Sequence, residues 1–483
     1  MVVNLCEVEW VVFSRQAFVE YVTSIAGVTG FAGVAGFRRP RQFTNLFPQR
    51  SFHKLIRKVS AAIPGIPRYF FLNMSISNDN TSPGLLSIRM IDGKPFEETH
   101  AVEIIDQLLL PHQFKWITIS NPTEAHRAIK AMNIRGAPAI GSLAALALAC
   151  GLLRLSTSKQ DLSIKDVKDY LKESSVLLIS ARPTAVNLQE AIERVNAKYD
   201  RLEEMTLQEP IGSQPEKLKS LIKTLVDLCK LIWTEDVERN KTIGRLGAKW
   251  LIETLSLNPK EKISVLTVCN TGSLATSGYG TALGIITALH EMDRLEHTYF
   301  MQTTPYLQGA RLTSLELQAL SIPCSMVCDS AVGWLIQSGK VDAFIAGADR
   351  IASNGDTANK ISTYQISLIC KYGNNPELKT KIPVVIAAPR TTIDLKITTG
   401  KAIQIEERAS LEACSVRGKV IGEDQKEGDL RVATVLVTPE NTTALNPAFD
   451  VTPANLIDAI VTEVGVIVKD HNRDQFDLRG YFK

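Results

Sequence analysis

The spacing of apolar residues predicts a mostly helical N-terminal region with a small β region at its start. From Leu85 to Ile119, short strand-like runs are separated by turn signals such as "MIDGKPF". Beyond them the period becomes that of helices in four segments, residues 122–132, 167–178, 185–199 and 217–257. The pattern therefore predicts a mainly helical domain over residues 81–259, which ends near Pro259.

After this point the pattern changes to a succession of strand, loop and helix. The short apolar runs, rich in β-branched residues, are "ISVLTVC", "TYFMQTT", "IPCSMVC", "VDAFIAG" and "IPVVIAA". Their separation by helix-length stretches is typical of a parallel sheet with crossover helices. We therefore expect an α/β protein in which residues 260–483 form a Rossmann-like, doubly wound domain. The charged, aperiodic segment Arg417–Thr443 predicts a surface insertion or an extended loop.

One uncharged run, Gly136–Leu153, approaches the length of a membrane span with its 18 residues. Its content of Ala, Gly and Ser favours a closely packed core helix instead. Pro138 in "RGAP" suits the first turn of that helix, because proline lacks the N–H that the first turn leaves unpaired. We expect no membrane association.

The basic charge of the chain is concentrated in its first 80 residues. They hold nine Lys or Arg against four Asp or Glu, whereas the rest of the chain is slightly acidic. Between Tyr21 and Asn78 there is no acidic residue, a composition typical of transit peptides. An upstream extension of a chain that starts at Met74, untranslated or disordered, explains the composition equally well.

The body of the chain has no basic stripe with interleaved aromatic residues. We therefore do not expect it to bind nucleic acid.

The eight cysteines show no CxxC pair and no regular spacing, which fits a reducing compartment better than a disulfide framework. Cys324 and Cys328 are the closest pair, and they lie in an apolar run without the partner motif of a zinc site. We predict neither a bound metal nor a cofactor.

Chemically active side chains follow several of the predicted strands. In an open parallel sheet, ligands bind beyond the carboxyl ends of the strands, where loops converge and helices begin. Cys269 and Asn270 follow the first strand, and Asp349 follows "VDAFIAG". A thiol at a helix start and a carboxylate in a closed apolar cleft could serve as base and acid. The alternatives are that Cys269 is a buried structural cysteine and that Asp349 caps a helix. Spacing alone favours these alternatives over a catalytic role.

A second set of residues could hold an anion. In "NIRGAPAIG", Arg135 precedes a helix start, so that a guanidinium group and backbone N–H groups would converge there. The other candidates are polar or basic side chains outside this motif: Arg182 in "SARPTAVN", Gln308 in "YLQGARLT", and Asn359 with Lys360 in "NGDTANK".

Six ordered motifs carry a resemblance to a known family: "RGAPAIG", "ARPTAVNL", "CNTGSLAT", "YLQGARLTSLEL", "GADRIASNGDTANKISTYQ" and "NPAFDVTP". From about Gly84 onward, the chain resembles the methylthioribose-1-phosphate isomerases. These belong to a larger superfamily that includes regulatory subunits of a translation initiation factor. The resemblance implies an aldose–ketose isomerase of methionine salvage that acts on a small phosphorylated sugar. It also implies a homodimer with a helical N-terminal and a Rossmann-like C-terminal domain.

The same resemblance implies roles for individual residues. Those implied for binding substrate are the phosphate loop Arg135, Gly136 and Ala137, together with Arg182, Gln308, Asn359 and Lys360. Cys269 matches the catalytic cysteine and Asp349 the proton donor. On this interpretation Asp349 acts at the ring oxygen and Cys269 at C2, and the sequence leaves open whether hydrogen moves as proton or hydride.

One departure from the family pattern lies at residues 302–305, where "QTTP" replaces the common "ETRP" and removes one acidic and one basic side chain together. Two other functions stay open. The first is isomerisation of ribose 1,5-bisphosphate, which would need positive charge for a second phosphate. The second is a non-catalytic regulatory subunit, which would be expected to lack Cys269 and Asp349. The resemblance implies a cytoplasmic location, with the nucleus as a second compartment, and the N-terminal extension leaves mitochondrial targeting open.

Overall fold

The computed structural model describes residues 85–91, 93–182, 186–208, 214–255, 258, 261–373, 381–421, 431–469 and 473–482. All of them belong to one compact unit, Leu72–Lys483. The predictions for residues 1–80, including the start at Met74, and the boundary at Pro259 lie outside the described residues. The division of the body into two domains stays a prediction.

The N-terminal region contains the small β region and the helices that the periodicity predicts. Three antiparallel strands form its sheet: β1 (Ile88–Met90), β2 (Val102–Ile105) and β3 (Trp116–Ile119). The helices are α1 (Phe96–Thr99), α2 (Pro122–Lys130), α3 (Ala137–Ser158), α4 (Ile164–Ala181), α5 (Val186–Gln208) and α6 (Gln214–Thr254). Polar residues fix two helix starts, because the side chain of Asn121 accepts from the Glu124 N–H and Ser163 forms a capping box with Asp166.

Helix α3 is the centre of the helical core, as its composition predicts. It is long and apolar enough to cross a membrane, but 72% of its most apolar window is buried inside the protein. Its small side chains allow α5 and α6 to pack closely against it. The apolar run is therefore a core helix.

The C-terminal region is built on a seven-stranded sheet, which confirms the Rossmann-like prediction. Its strands are β4 (Ile263–Thr267), β5 (Leu295–Met301), β6 (Cys324–Val327), β7 (Ala343–Ala346), β10 (Val384–Ala387), β15 (Ala459–Val461) and β16 (Val466–Val468). Their order is β16-β15-β10-β7-β4-β5-β6, and all pairs are parallel except the edge pair β15 and β16. The five predicted runs are β4, β5, β6, β7 and β10.

The order of these strands determines where a ligand can enter. After β4 the chain builds outward through β5 and β6, and it then returns to place β7 on the other side of β4. At such a reversal the loops that follow the two central strands diverge and leave a crevice at the carboxyl edge of the sheet. The loop after β4 contains Cys269, and the loop after β7 contains Asp349.

A smaller sheet extends from this edge. It contains β8 (Arg350–Ala352), β9 (Thr357–Lys360), β11 (Ile393–Asp394) and β14 (Phe449–Thr452) in the order β11-β8-β9-β14. The remaining helices are α7 (Ala282–Glu291), α8 (Ser314–Ala319), α9 (Val332–Gln337), α10 (Thr363–Tyr372), α11 (Ser410–Cys414) and α12 (Leu478–Tyr481).

The segment Arg417–Thr443 is not simply an extended loop. Strands β12 (Ser415–Lys419) and β13 (Val432–Leu436) pair antiparallel and form a two-stranded ribbon. Arg417, Gly418 and Lys419 interrupt the apolar pattern of β12, which is why the sequence pattern hides this ribbon.

Candidate active site

Cys269 lies in a sharp backbone turn immediately after β4. Its φ is +65°, a left-handed conformation that is uncommon for a residue other than glycine. Two hydroxyl groups hold the turn, because the Cys269 N–H donates to Thr303 Oγ1 at 2.8 Å and the Cys269 carbonyl accepts from Thr313 Oγ1 at 2.5 Å. The expected helix does not begin at Cys269: α7 starts only at Ala282, after a loop that contains a single 3-10 turn at Ser273–Ala275. Gly and Ser in this loop delay the helix.

Arg135 reaches the same turn from the helical region. Its guanidinium nitrogens Nη1 and Nη2 donate to the Asn270 carbonyl oxygen at 2.9 and 2.5 Å. Nη1 also lies 3.6 Å from Cys269 Sγ. A buried guanidinium group thus lies beside the thiol.

Gly136 allows this close approach. Its φ is +102°, and a Cβ at this position would lie 2.2 Å from the Ala275 carbonyl oxygen. Helix α3 begins at the next residue, the buried Ala137, and its N-cap Gly136 offers no capping side chain to the first turn. The positive end of the helix therefore lies next to the loop that follows Cys269.

Asp349 lies between β7 and β8, and its N–H donates to the Ala358 carbonyl oxygen at 2.9 Å. Burial raises the pKa of its carboxyl group. The positive charges of Arg182, Lys360 and Arg135 oppose this rise in pKa, and the negative charge of Glu406 adds to it. The carboxyl group is therefore suited to retain a proton above its usual pH range and to donate it.

Lys360 and Asn359 point to opposite faces of β9. The Lys360 ammonium group lies 5.0 Å from the centre of the Phe449 ring. Burial lowers the pKa of Lys360, whereas the nearby Cys269 and Asp349 raise it. The buried Asn359 amide instead donates to Thr363 Oγ1 at 2.9 Å, so the structure does not bring it to the cleft beside Lys360.

A narrow cleft brings together the remaining predicted residues, because Arg182, Gln308 and Lys360 all line it. Arg182 Nη2 donates to Glu406 Oε2 at 3.1 Å. Among the described side chains, Arg182 Nε and Gln308 Oε1 are buried polar atoms without a hydrogen-bond partner. Unpaired buried groups of this kind are costly, and a polar ligand in the cleft would satisfy them.

The two threonines of the "QTTP" sequence, Thr303 and Thr304, donate hydrogen bonds to a second carboxylate group. Asp329 accepts from the N–H groups of Thr303 at 2.9 Å and Thr304 at 2.7 Å, and from the Thr304 hydroxyl at 2.5 Å. Thr303 in turn receives the Cys269 N–H. The turn around Cys269 is therefore anchored without the acidic and basic pair that the family pattern has at this place.

Sequence reasoning missed several residues of the site. Glu406 lies in an irregular segment and gives no periodic signal, although it pairs with Arg182. Thr303 and Phe449 lie inside the "QTTP" and "NPAFDVTP" motifs, so those motifs were the available signal. Among the described residues, no group of three or more His, Cys, Asp or Glu side chains could hold a metal ion.

Comparison with known proteins finds relatives of this chain. Residues 133–469 match the Initiation factor 2 subunit family. A curated methylthioribose-1-phosphate isomerase from Cryptococcus neoformans var. neoformans serotype D is 45% identical over 412 residues, which cover 83% of this chain and 98% of that protein.

Two solved structures are also similar. The crystal structure of 5-methylthioribose 1-phosphate isomerase from Pyrococcus horikoshii OT3 has a TM-score of 0.63 and 32% identity, and the match covers 82% of this chain and 95% of that one. The translation initiation factor eIF-2B subunit delta from A. fulgidus has a TM-score of 0.59 and 33% identity over 80% of this chain and 97% of that one.

Proposed function

This chain belongs to the Initiation factor 2 subunit family and, within it, to the methylthioribose-1-phosphate isomerases, and from that premise we propose how its cleft performs the reaction. The enzyme converts 5-methylthioribose 1-phosphate into 5-methylthioribulose 1-phosphate in methionine salvage. The conversion opens the furanose ring and moves one hydrogen from C2 to C1, so that no atom is gained or lost. Because phosphate occupies the anomeric oxygen, the ring cannot open as a free sugar does.

In our proposal Asp349 supplies the proton for ring opening. A protonated carboxyl group gives its proton to the ring oxygen, which becomes the C4 hydroxyl group as the bond to C1 breaks. This role is supported by the raised pKa of Asp349, which keeps the acid form available. Arg182 and Lys360 limit the rise and favour the carboxylate after the proton has left.

Cys269 acts at C2 in the same proposal. The C2 hydrogen moves to C1, and Cys269 relays the proton of the C2 hydroxyl group to the Asp349 carboxylate as the ketone forms, which restores the acid. The observation that carries this assignment is the position of Cys269 and Asp349 in the two loops that flank the crevice at the strand reversal, with Arg135 beside the thiol. A structural cysteine would not need a guanidinium group at 3.6 Å.

The binding groups divide between phosphate and sugar. We assign the phosphate to Arg135 and the start of α3 at Gly136 and Ala137, because backbone N–H groups and a helix dipole favour an anion there. Arg182, Gln308 and Lys360 line the cleft and are assigned to the sugar hydroxyl groups. Asn359 stays a predicted contact, whose amide is bonded to Thr363.

A substrate panel tests the function. Purified protein is incubated with 5-methylthioribose 1-phosphate or ribose 1,5-bisphosphate, and NMR follows the loss of the C1 aldose signal. We expect turnover of the first substrate and abolished turnover in Cys269→Ser and Asp349→Asn, each with largely retained substrate affinity. Near-normal turnover in either variant would remove that residue from the mechanism. A folded wild type that turns over neither sugar would favour a binding subunit.

We further propose that the enzyme is a cytoplasmic homodimer. The dimer is supported by the family resemblance and by exposed apolar side chains on the β12–β13 ribbon, Val416, Val435 and Leu436, which a second copy would cover. Light scattering after size exclusion measures the mass of the assembly, and a monomer would contradict the proposal.

A fluorescent tag at the C-terminus reports the cellular location of the protein, and an organelle-bound signal would contradict a cytoplasmic enzyme.

A further inference from the structure

We propose that Glu316 is a positioning residue that holds the Cys269–Asn270 turn and, through it, the Arg135 guanidinium group for the isomerisation. The inference rests on the proposed catalytic role of Cys269. Glu316 lies on α8, outside the residues that line the cleft, and its side chain is almost fully buried.

The carboxylate of Glu316 accepts three hydrogen bonds from the loop after Cys269. Its Oε1 accepts from Asn270 Nδ2 at 2.7 Å and from the Leu274 N–H at 3.3 Å, and its Oε2 accepts from the Ser273 N–H at 2.6 Å. A buried carboxylate with three donors fixes both the side chain of Asn270 and the 3-10 turn that follows.

These contacts continue to the reactive sulfur through one residue. The Asn270 side chain is held by Glu316, and its carbonyl oxygen receives both Arg135 nitrogens. Arg135 then lies 3.6 Å from Cys269 Sγ. A shift of Asn270 would therefore move the positive charge that lies beside the thiol, and the rate of a reaction at C2 depends on that placement.

The loop is shaped around this carboxylate. A Cβ at Gly272 would lie 2.3 Å from Glu316 Oε2, so only glycine leaves room for the acid. Burial raises the pKa of Glu316 to about 7, while Asn270, the two backbone donors and Arg135 lower it. The positive charge of Arg135 is one of the groups that lower the pKa of Glu316, so the two charges interact.

The chain offers a matched control in Asp236 on α6. It is also a buried carboxylate with a raised pKa, and it holds the far half of the same loop. Its Oδ2 accepts from the Ser277 N–H at 2.7 Å and from Asn240 Nδ2 at 3.1 Å. None of these contacts involves Cys269, Asn270 or Arg135, so the control separates loop stability from placement of the thiol.

The experiment compares Glu316→Gln with Asp236→Asn in the full chain. For Glu316→Gln we expect kcat to fall about a hundredfold, because the loss is one of geometry at the reacting atoms, and KM to rise by a smaller factor, because the displaced Arg135 also binds the phosphate. For Asp236→Asn we expect a lower Tm but a kcat within about threefold of wild type. The opposite ranking, or a Glu316→Gln enzyme with full kcat, would overturn the proposal.

A second measurement does not depend on turnover. Iodoacetamide labelling of the Cys269 peptide, followed by mass spectrometry across pH, reports the environment of the thiol directly. We expect the pH profile of labelling to change in Glu316→Gln and to stay as in wild type in Asp236→Asn. An unchanged profile in the first variant would contradict the positioning role even if the wild type proved inactive on the sugar, so the two proposals fail separately.

If Glu316→Gln does not fold, Glu316→Asp replaces it. The shorter acid keeps the charge but withdraws the oxygens from Asn270, so a reduced kcat and a changed labelling profile in a folded protein are expected. Wild-type values of both would overturn the proposal.

Discussion

At the scale of residues, the proposed acid of the site lies among charged groups that adjust its pKa. The positive charges of Arg182, Lys360 and Arg135 lower the pKa of Asp349, whereas the negative charge of Glu406 raises it. Glu406 also forms an ion pair with Arg182 at 3.1 Å. The proposed proton donor is therefore coupled to a residue outside the predicted set.

Replacing Glu406 by Gln should shift the alkaline limb of the kcat profile to lower pH. The change removes a negative charge that raises the pKa of Asp349 and leaves Arg182 unneutralised, and both effects lower that pKa. A general acid must be protonated, so activity is then lost at a lower pH. The measurement is kcat against pH with saturating substrate.

The control for this change is Glu407→Gln, one residue along the chain. Glu407 is exposed and accepts from the Asn446 N–H at 2.6 Å, away from Arg182. Its variant should keep the wild-type alkaline limb. Equal shifts in both variants would mean that net charge, and not the Glu406–Arg182 pair, sets the profile.

At the scale of elements, the junction between α3 and the loop after β4 fixes the site. One side of the junction is formed by Arg135, Gly136 and the start of α3, and the other side is formed by the loop that follows Cys269. The two elements approach so closely that their backbones are in contact, which only a residue without a side chain permits.

Gly136→Ala should therefore destabilise the protein more than Gly93→Ala. Both glycines have positive φ, +102° and +74°, but a Cβ at Gly93 meets nothing within 4 Å whereas one at Gly136 clashes with Ala275. We expect a loss of about 1 kcal/mol for Gly93→Ala from backbone strain and about 1–3 kcal/mol more for Gly136→Ala from overpacking. Urea unfolding measures both free energies, and equal losses would show that the junction relaxes.

At the scale of the whole molecule, two carboxyl groups with raised pKa values make stability depend on pH. Burial raises the pKa of Glu316 to about 7 and that of Asp450 to about 6. Each folded-state pKa lies above the value in the unfolded chain, so the folded protein binds a proton that the unfolded chain releases. Stability from each group is complete below its unfolded pKa and is lost as pH rises through its folded pKa.

In the wild type, Glu316 should lower the free energy of unfolding by about 1.4 kcal/mol per pH unit as the pH rises from roughly 4.5 to 7. We expect this decrease to be absent in Glu316→Gln. Asp450→Asn, which replaces the acceptor for the Ser362 and Tyr364 N–H groups, should remove a similar fall in a lower window, from roughly pH 4 to 6. Urea unfolding at several pH values tests both. Parallel curves for wild type and Glu316→Gln would contradict the raised pKa.

The extension before Met74 gives a prediction for the whole chain. A chain that begins at Met74 should fold and be as active as the full chain, because the sequence before it shows no core pattern and contains the glycine-rich "AGVTGFAGVAG". Thermal unfolding and kcat of the two chains measure this. Aggregation or lost activity of the shorter chain alone would mean that the extension packs against the body.

The sequence by itself determined most of the longer helices, the central strands and their order along the chain, because periodicity and turn residues are local properties. The helices α2 and α4–α6, the core character of α3 and the five runs that became β4, β5, β6, β7 and β10 follow from such patterns. Residues at strand ends, including Cys269 and Asp349, could also be chosen this way, since the carboxyl edge of a parallel sheet is where loops meet.

Only the tertiary structure decided which of these residues meet and what holds them. The place of β7 beside β4 and the contacts of Glu316 and Glu406 join segments far apart in the chain. The helix expected to begin at Cys269 starts only at Ala282, and the segment expected to be a surface insertion or an extended loop contains the ribbon β12–β13. Such features depend on packing and on hydrogen bonds between distant residues, and no local pattern of apolar and polar residues records them.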